Sequence, residues 1–241
     1  MVFSAIGVKR HVTSGSTETS GMKDTLEKSE KASRRVFRRY FPLIFVLWIL
    51  FVLYPNPANL VVSIQRVLNF NADPDAVEFM LNDLPSDPVG IEIAILSKIP
   101  YRHDWELYGM PWYCPTIEQV LQLGAGDCKA RALVLASVLE AENITYQIHS
   151  SPIHIWVDYE NKEENSIENA QVEFYQYDHE TGSRRLRIPD IGLGKLMDSW
   201  GQQFWTPMPD GRKTLLISGL VGLIAARVIL RKGKTAQQTG I

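Results

Sequence analysis

The chain has 241 residues and a net charge of −2, enough for one sizeable domain with additional segments. Residues 1–40 contain nine Lys or Arg and four Asp or Glu, a net charge of +5, and residues 212–241 contain six Lys or Arg and no acidic residue, a net charge of +6. Residues 41–211 contain ten basic and 23 acidic residues, a net charge of −13. The acidic centre argues against a nucleic-acid partner, and the basic ends indicate a membrane protein.

The first segment is rich in Ser, Thr, Gly and Lys and has little periodic apolar content. We therefore predict a disordered, basic, cytoplasmic tail over residues 1–39. From Tyr40 to Gln65 no residue is charged, and 26 helical residues reach about 39 Å, more than a bilayer core of roughly 30 Å. This pattern predicts a transmembrane helix over residues 40–62. A cleaved signal sequence is the alternative, which the long polar N-terminal region disfavours.

The domain between the spans is predicted over residues 63–211. An Asp-Pro pair opens each of two predicted helices, at residues 73–84 and 87–98. An aromatic loop at residues 101–115 contains Trp112, which either lines a cleft or packs at the edge of the core. A short helix then leads to Gly124.

A second helix signal surrounds Cys128. Gly124 and Gly126 permit backbone conformations that a side chain disfavours, Asp127 is a good N-cap, and the following run is rich in Ala and Leu. A helix beginning at Cys128 places its thiol at the positive end of the helix dipole, which favours the thiolate and suits a nucleophile. A buried core cysteine is the alternative. Cys114 could pair with Cys128, but this would block the nucleophile, so both thiols are expected to be free.

Alternating residues after the helix predict neighbouring strands. His154 and Trp156 share one strand face, opposite Ile155. Asp178 closes the next strand and is preferred as the partner of His154. Asp158 is the alternative, but four strand residues span about 13 Å, which carries its carboxylate away from the imidazole.

A second apolar run, at residues 214–230, is long enough to span and is followed by a basic tail over residues 231–241. A buried core helix is the alternative. Ser218, Gly222 and Ala226 form a small-residue stripe that allows close approach of the first span or of a second copy in a homodimer. The basic flanks predict a two-span protein of the cell membrane with both termini in the cytoplasm and the domain outside.

The glycine-rich stretch before Cys128, the H-x-W motif of His154 and Trp156, and the strand ending in Asp178 resemble the transglutaminase-like superfamily of cysteine peptidases and acyltransferases. The resemblance covers residues 91–181. It implies an α+β, papain/transglutaminase-like domain in which the nucleophile begins a helix packed on an antiparallel sheet. It also implies that Cys128 attacks an amide carbonyl, His154 handles the proton and Asp178 orients the imidazole. Trp112 and Trp156 are implied as neighbours of the oxyanion or substrate.

The expected function is that of a membrane-anchored thiol enzyme, a cysteine peptidase or amidase acting through a thioester on a peptide or protein outside the membrane. A protein-glutamine acyltransferase and a non-catalytic peptide-binding domain are the alternatives. The sequence contains no metal-ligand spacing, so we expect neither a metal nor another cofactor.

Overall fold

A computed structural model describes residues 15–163, 166–190 and 192–232 of the protein. The chain divides into two units, one made of residues 1–49 and 217–241 and the other of residues 50–216. The helices in the described ranges are α1 (Gly15–Leu53), α2 (Ala58–Leu68), α3 (Glu78–Leu81), α4 (Pro88–Lys98), α5 (Asp104–Tyr108), α6 (Ile117–Leu123), α7 (Cys128–Ala141), α8 (Leu193–Trp200) and α9 (Asp210–Lys232). The strands are β1 (Tyr146–Ser150), β2 (Ile155–Tyr159), β3 (Tyr175–Asp178) and β4 (Arg184–Leu186).

Helix α1 corrects the prediction of a disordered tail over residues 1–39. From Gly15 onward this segment is helical, while residues 1–14 lie outside the described ranges. Its Glu, Lys, Met and Leu residues favour a helix, and it continues directly into the apolar run, so the helix propagates without a new nucleus. The sequence pattern does not reveal that the polar segment and the apolar run form one helix.

The C-terminal end of α1 also differs from the predicted span at residues 40–62. The helix stops at Leu53, and a separate helix, α2, begins at Ala58. Pro55 and Pro57 lie between them, and proline removes a backbone donor and clashes with the preceding turn. The uncharged stretch therefore forms two helices rather than one.

Two helical stretches, Arg35–Leu53 and Asp210–Leu230, are long and apolar enough to cross a membrane. Their most apolar windows are only 17% and 6% buried, whereas a core helix of a soluble protein would be mostly buried. The second of them contains the predicted span at residues 214–230. Residues 233–241, most of the predicted C-terminal tail, lie outside the described ranges.

Within the first unit, α9 contacts α1 at Gly219. A Cβ atom at this position would overlap the indole of Trp48, so only glycine permits the approach. Arg227 lies over the ring of Phe41, 4.4 Å from its centroid. The predicted stripe includes Gly222, where a Cβ would meet no neighbouring atom, so this position leaves room for a further helix. Packing of a second copy through the stripe stays a prediction.

Helix α7 is the centre of the second unit. Its residues are buried from Lys129 to Leu139 with the exception of Arg131. This burial is possible because β1 and β2 cover one side of the helix while α4 and α6 cover others. The core that results contains Val134, Val138 and Leu139, each at 0% exposure.

The sheet has the order β2-β1-β3-β4, and each neighbouring pair is antiparallel. Strands β1 and β2 form a hairpin in which Ser150 lies opposite Ile155. Ile155 and Val157 pack into the core beneath α7. The predicted mixture of helices with an antiparallel sheet is confirmed, and β1 separates β2 from β3.

Candidate active site

Local signals place Cys128 at the first position of α7. Helix α6 ends at Gly124, whose φ of 60° is left-handed, and Gly126 is so close to Ala130 that a Cβ would clash. The Asp127 carboxylate then accepts hydrogen bonds from the backbone of Lys129 (3.0 Å) and Ala130 (3.4 Å). The loop and the cap together fix the start of the helix as predicted, with Cys128 partly exposed.

A tight turn places His154 at the start of β2. The Ser151 hydroxyl accepts a hydrogen bond from the backbone N–H of His154 at 2.9 Å, and the backbone N–H of Ser151 donates to the His154 carbonyl at 2.7 Å. Ser151 is buried, at 6% exposure. The turn therefore holds the backbone of His154 from both sides, and its imidazole and the Cys128 thiol line the same cleft.

The partner of the imidazole on its other side is Glu168. Nε2 of His154 lies 2.7 Å from Oε1 of Glu168, which leaves Nδ1 for the thiol. Burial lowers the pKa of His154, but hydrogen bonds and negative charge from Cys128 and Glu168 outweigh burial and raise the pKa to about 9. His154 is therefore protonated at neutral pH, and an imidazolium beside a thiol stabilises the thiolate.

The structure does not bring Asp178 to His154, and this corrects the predicted partner. Asp178 pairs with Gln147 of β1, and β1 separates its strand, β3, from β2. Gln147 is three residues, or roughly 10 Å, from Ser150, the end of β1 nearest His154. The Asp178 carboxylate is partly exposed and accepts hydrogen bonds from the backbone of Thr181 at 2.9 Å and from Gln147 at 3.2 Å. The prediction assumed that β3 neighbours β2, whereas β1 lies between them.

Asp158, the alternative partner, contacts a different histidine. One of its carboxylate oxygens lies 3.9 Å from Nε2 of His149. This position agrees with the expectation that four strand residues separate Asp158 from the imidazole of His154.

Lys162 holds Glu168 in place. Its ammonium contacts the Glu168 carboxylate at 3.2 Å, the Glu92 carboxylate at 2.9 Å and the Val157 carbonyl at 2.8 Å. Burial raises the pKa of Glu168, but the hydrogen bond from His154 and the charge of Lys162 outweigh burial and lower the pKa to about 2. The Lys162 side chain is 9% exposed, so these interactions are little screened by solvent. Glu168 is therefore ionised at any physiological pH.

Trp156 lies between two histidines. Its ring stacks on His154, with centroids 5.9 Å apart and planes at 10°, and on His149, with centroids 5.4 Å apart and planes at 17°. At 6% exposure, Trp156 supports the orientation of the His154 ring. Its predicted contact with substrate stays a prediction.

A buried ionic cluster lies directly behind the nucleophile. The ammonium of Lys129 contacts Asp104 at 2.9 Å and also contacts Asp127, and all three side chains are at most 9% exposed. Burial and then the charge of Asp127 raise the pKa of Asp104 to about 7, although Lys129 opposes both effects. Lys129 is also 5.8 Å from the ring centroid of Trp112. The cluster holds two carboxylates against one cation.

A cleft of about 310 Å³ opens beside Cys128 and His154, and Trp112 is among its lining residues. The predicted role of Trp112 near an oxyanion stays a prediction. Cys114 is a second free thiol, which is buried and lies outside this lining. Within residues 15–163, 166–190 and 192–232, no group of three or more His, Cys, Asp or Glu side chains is placed to hold a metal ion.

Sequence reasoning missed Glu168 and Lys162. Both lie in the polar segment between the His154 strand and Asp178, where the sequence pattern predicts no functional residue. That segment contains several glutamates without any periodic pattern, so nothing local distinguishes Glu168 from Glu160 or Glu163. The available signal was the concentration of charge directly after an H-x-W motif.

No protein-family model matches the chain, and no curated protein or solved structure shows significant similarity to it.

Proposed function

We propose that the chain is a membrane-anchored, transglutaminase-like thiol enzyme that acts on amide bonds through Cys128, His154 and Glu168. One observation carries the proposal: a partly exposed thiol at a helix start lines the same cleft as an imidazole whose Nε2 contacts a partly buried, ionised carboxylate. This is the arrangement that nucleophilic catalysis by cysteine requires. A papain/transglutaminase-like fold is part of the proposal, since a helix bearing the nucleophile packs on an antiparallel sheet.

In the first step, the Cys128 thiolate attacks the amide carbonyl carbon and forms a C–S bond. The C–N bond breaks, and the imidazolium of His154 gives its proton to the departing amine. Water then attacks the thioester, His154 accepts a proton from it, and the C–S bond breaks to release the acid and the thiolate. If an amine replaces water in the second step, the same residues catalyse acyl transfer.

The oxyanion formed in both steps needs hydrogen-bond donors. The backbone N–H of Cys128, at the positive end of α7, is the proposed donor, with Trp112 beside it in the cleft. Glu168 keeps the imidazole oriented and charged, the role that the family resemblance implied for Asp178.

The proposed location is the cell membrane, with Arg35–Leu53 and Asp210–Leu230 as spans. The net charges of +5 and +6 at the ends and −13 between them support cytoplasmic termini and an external catalytic domain. A peptide or protein outside the membrane is the proposed substrate. Protease added to intact cells should spare tags at both termini and cut the domain; tag loss without permeabilisation would contradict this topology.

Thiol labelling tests the chemistry. Full-length protein in detergent micelles is treated with iodoacetamide at pH 7, and labelling of Cys128 is followed by mass spectrometry in wild type and in His154→Ala. Wild type should react at least tenfold faster, because the imidazolium no longer stabilises the thiolate in the variant. Cys114 is an internal reference, since burial raises the pKa of its thiol to about 11. Equal rates at Cys128 in the two proteins would refute an activated thiol.

Turnover of p-nitrophenyl acetate tests whether Cys128 forms an acyl-enzyme and whether water or an amine releases the acyl group. An acetyl adduct on Cys128 should form and then decay, and a Cys128→Ala variant should form none. Acetate as the product in the presence of a primary amine supports hydrolysis, whereas the N-acetyl amine supports acyl transfer. An inert Cys128 would leave only a binding function.

A further inference from the structure

A second cavity is also bordered by Cys128. It has a volume of about 180 Å³ and is bordered by both Cys128 and His154. Its walls come from α4, α7 and β2, so it lies between the core helix and the sheet. The aliphatic side chains that line it are Ile95, Leu96, Ala132, Leu135, Ile155, Val157 and Ile167.

The aliphatic lining has a buried floor and an exposed rim. Ile95 and Val157 are 1% exposed and Leu135 is 4% exposed, whereas Leu96 is 41% and Ile167 is 46% exposed. Single exposed aliphatic residues are ordinary, but two at the mouth of an apolar cavity form a surface that gains free energy when a ligand covers it. This cavity also opens onto the reactive pair.

The charged side chains around the cavity are already engaged with other groups. Glu92 contacts Lys162, and Glu168 contacts both His154 and Lys162. Arg131 donates a hydrogen bond to the Ile99 carbonyl at 2.9 Å. A charged substrate group would lose hydration here without gaining an available counter-ion, so the electrostatics favour an uncharged occupant.

We infer that this cavity, named the aliphatic pocket, binds an uncharged aliphatic side chain of the substrate beside the carbonyl that Cys128 attacks. The inference rests on the proposed function and adds the substrate class. The cleft of about 310 Å³ beside Cys128 is bordered by Asp104, Asp127 and Lys129, so the two cavities at the nucleophile differ in polarity. This difference orients the substrate, with its aliphatic side chain toward α4.

Matched chloroacetamides test the pocket. Full-length protein in micelles is labelled with N-isopentyl, N-(2-aminoethyl) and N-(2-carboxyethyl) chloroacetamide, and each Cys128 rate is divided by the rate of the same reagent with glutathione. The isopentyl reagent should react about tenfold faster or more than either charged reagent, the scale of discrimination by an apolar pocket. Equal corrected rates would overturn the inference.

Variants at the rim of the aliphatic pocket test whether the preference for the isopentyl reagent arises there. Leu96→Ser with Ile167→Ser changes exposed side chains, so the fold should persist, which circular dichroism checks. This double variant should lose most of the isopentyl preference. Ile93→Ser is the control, because Ile93 lies on the same helix, is 64% exposed and is outside the pocket lining. A preference that survives in the double variant would also overturn the inference.

Iodoacetamide separates the two possible failures. This small reagent needs no pocket, so its rate at Cys128 in wild type and in His154→Ala reports only on thiol activation. If activation is absent, the proposed function fails. If activation is present and the chloroacetamide series shows no preference, only the aliphatic pocket fails.

Discussion

Glu168 contacts His154 at 2.7 Å although it lies outside the strands, in the segment that connects β2 to β3. The imidazole is therefore held between a helix start and a connecting segment rather than between two strands. Lys162, from the same segment, contacts Glu168 and ties it to Glu92 on α4. The position of the acid thus depends on side-chain contacts that cross the domain.

The first prediction compares the observed partner with the predicted one. Glu168→Gln removes the negative charge and the strongest acceptor from Nε2, so the pKa of His154 should fall well below about 9. Asp178→Asn should leave that pKa unchanged, because the Asp178 carboxylate contacts Thr181 and Gln147 instead of His154. The pKa of His154 in each variant is measured by NMR titration of labelled imidazoles in the full-length protein. A fall in Asp178→Asn alone would contradict the assignment of Glu168.

The second prediction concerns stability and pH. The pKa of His154 is raised from 6.5 to about 9, so its contribution is complete below pH 6.5 and is lost as pH rises through 9. The pKa of Glu168 is lowered from 4.5 to about 2, so its contribution is complete above pH 4.5 and is lost as pH falls toward 2. The His154–Glu168 pair should therefore stabilise the folded protein most between pH 4.5 and 6.5.

Denaturant unfolding of wild type and Glu168→Gln across pH checks this. The difference in free energy of unfolding should be largest in that window, on the order of 2–3 kcal/mol, and should shrink above pH 9. Asp178→Asn is the matched acidic control. A difference that stays constant from pH 5 to pH 10 would show that Glu168 acts only by packing.

The third prediction tests the ionic cluster behind the nucleophile. Lys129→Met leaves the buried carboxylates of Asp104 and Asp127 without their cation and should destabilise the protein by about 3–5 kcal/mol. The wild-type cluster already loses stability as pH rises from 3.8 to about 7, because the unfolded chain ionises Asp104 first. The loss in Lys129→Met should therefore be larger at pH 8 than at pH 5.

Lys98→Met is the control for this experiment, since Lys98 is exposed at the end of α4 and should change stability by less than about 0.5 kcal/mol. Both variants are compared by denaturant unfolding at the two pH values. Equal stability of Lys129→Met and Lys98→Met would show that the cluster contributes nothing net.

The fourth prediction concerns α1 and α9, two helices long and apolar enough to cross a membrane. Gly219→Leu places a side chain where the indole of Trp48 lies, so it should separate α9 from α1 and lower resistance to unfolding by SDS in mixed micelles. Gly222→Leu should have little effect on that measurement, because a Cβ there meets open space. Chemical crosslinking in the same micelles tests the predicted stripe separately. Loss of crosslinked dimer in Gly222→Leu would show that the small-residue stripe joins two copies of the chain.

Local signals predicted the elements that carry Cys128 and His154. The cap at Asp127 and the cap at Asp87 interact with the first turn of the helix that follows, so neighbouring residues are enough to reveal them. Strand order is different, because β1 pairs with both β2 and β3 through contacts that no local pattern specifies. That is why Asp178 was predicted beside His154 and Glu168 was not.

The stack of Trp156 on His154 gives the protein an internal optical reporter. A protonated imidazole accepts an electron from an excited indole and quenches its emission, and the two ring planes here differ by only 10°. His149 also stacks on this indole, with the two planes at 17°. The difference in fluorescence between wild type and Trp156→Phe therefore follows the charge of His154 without any added dye.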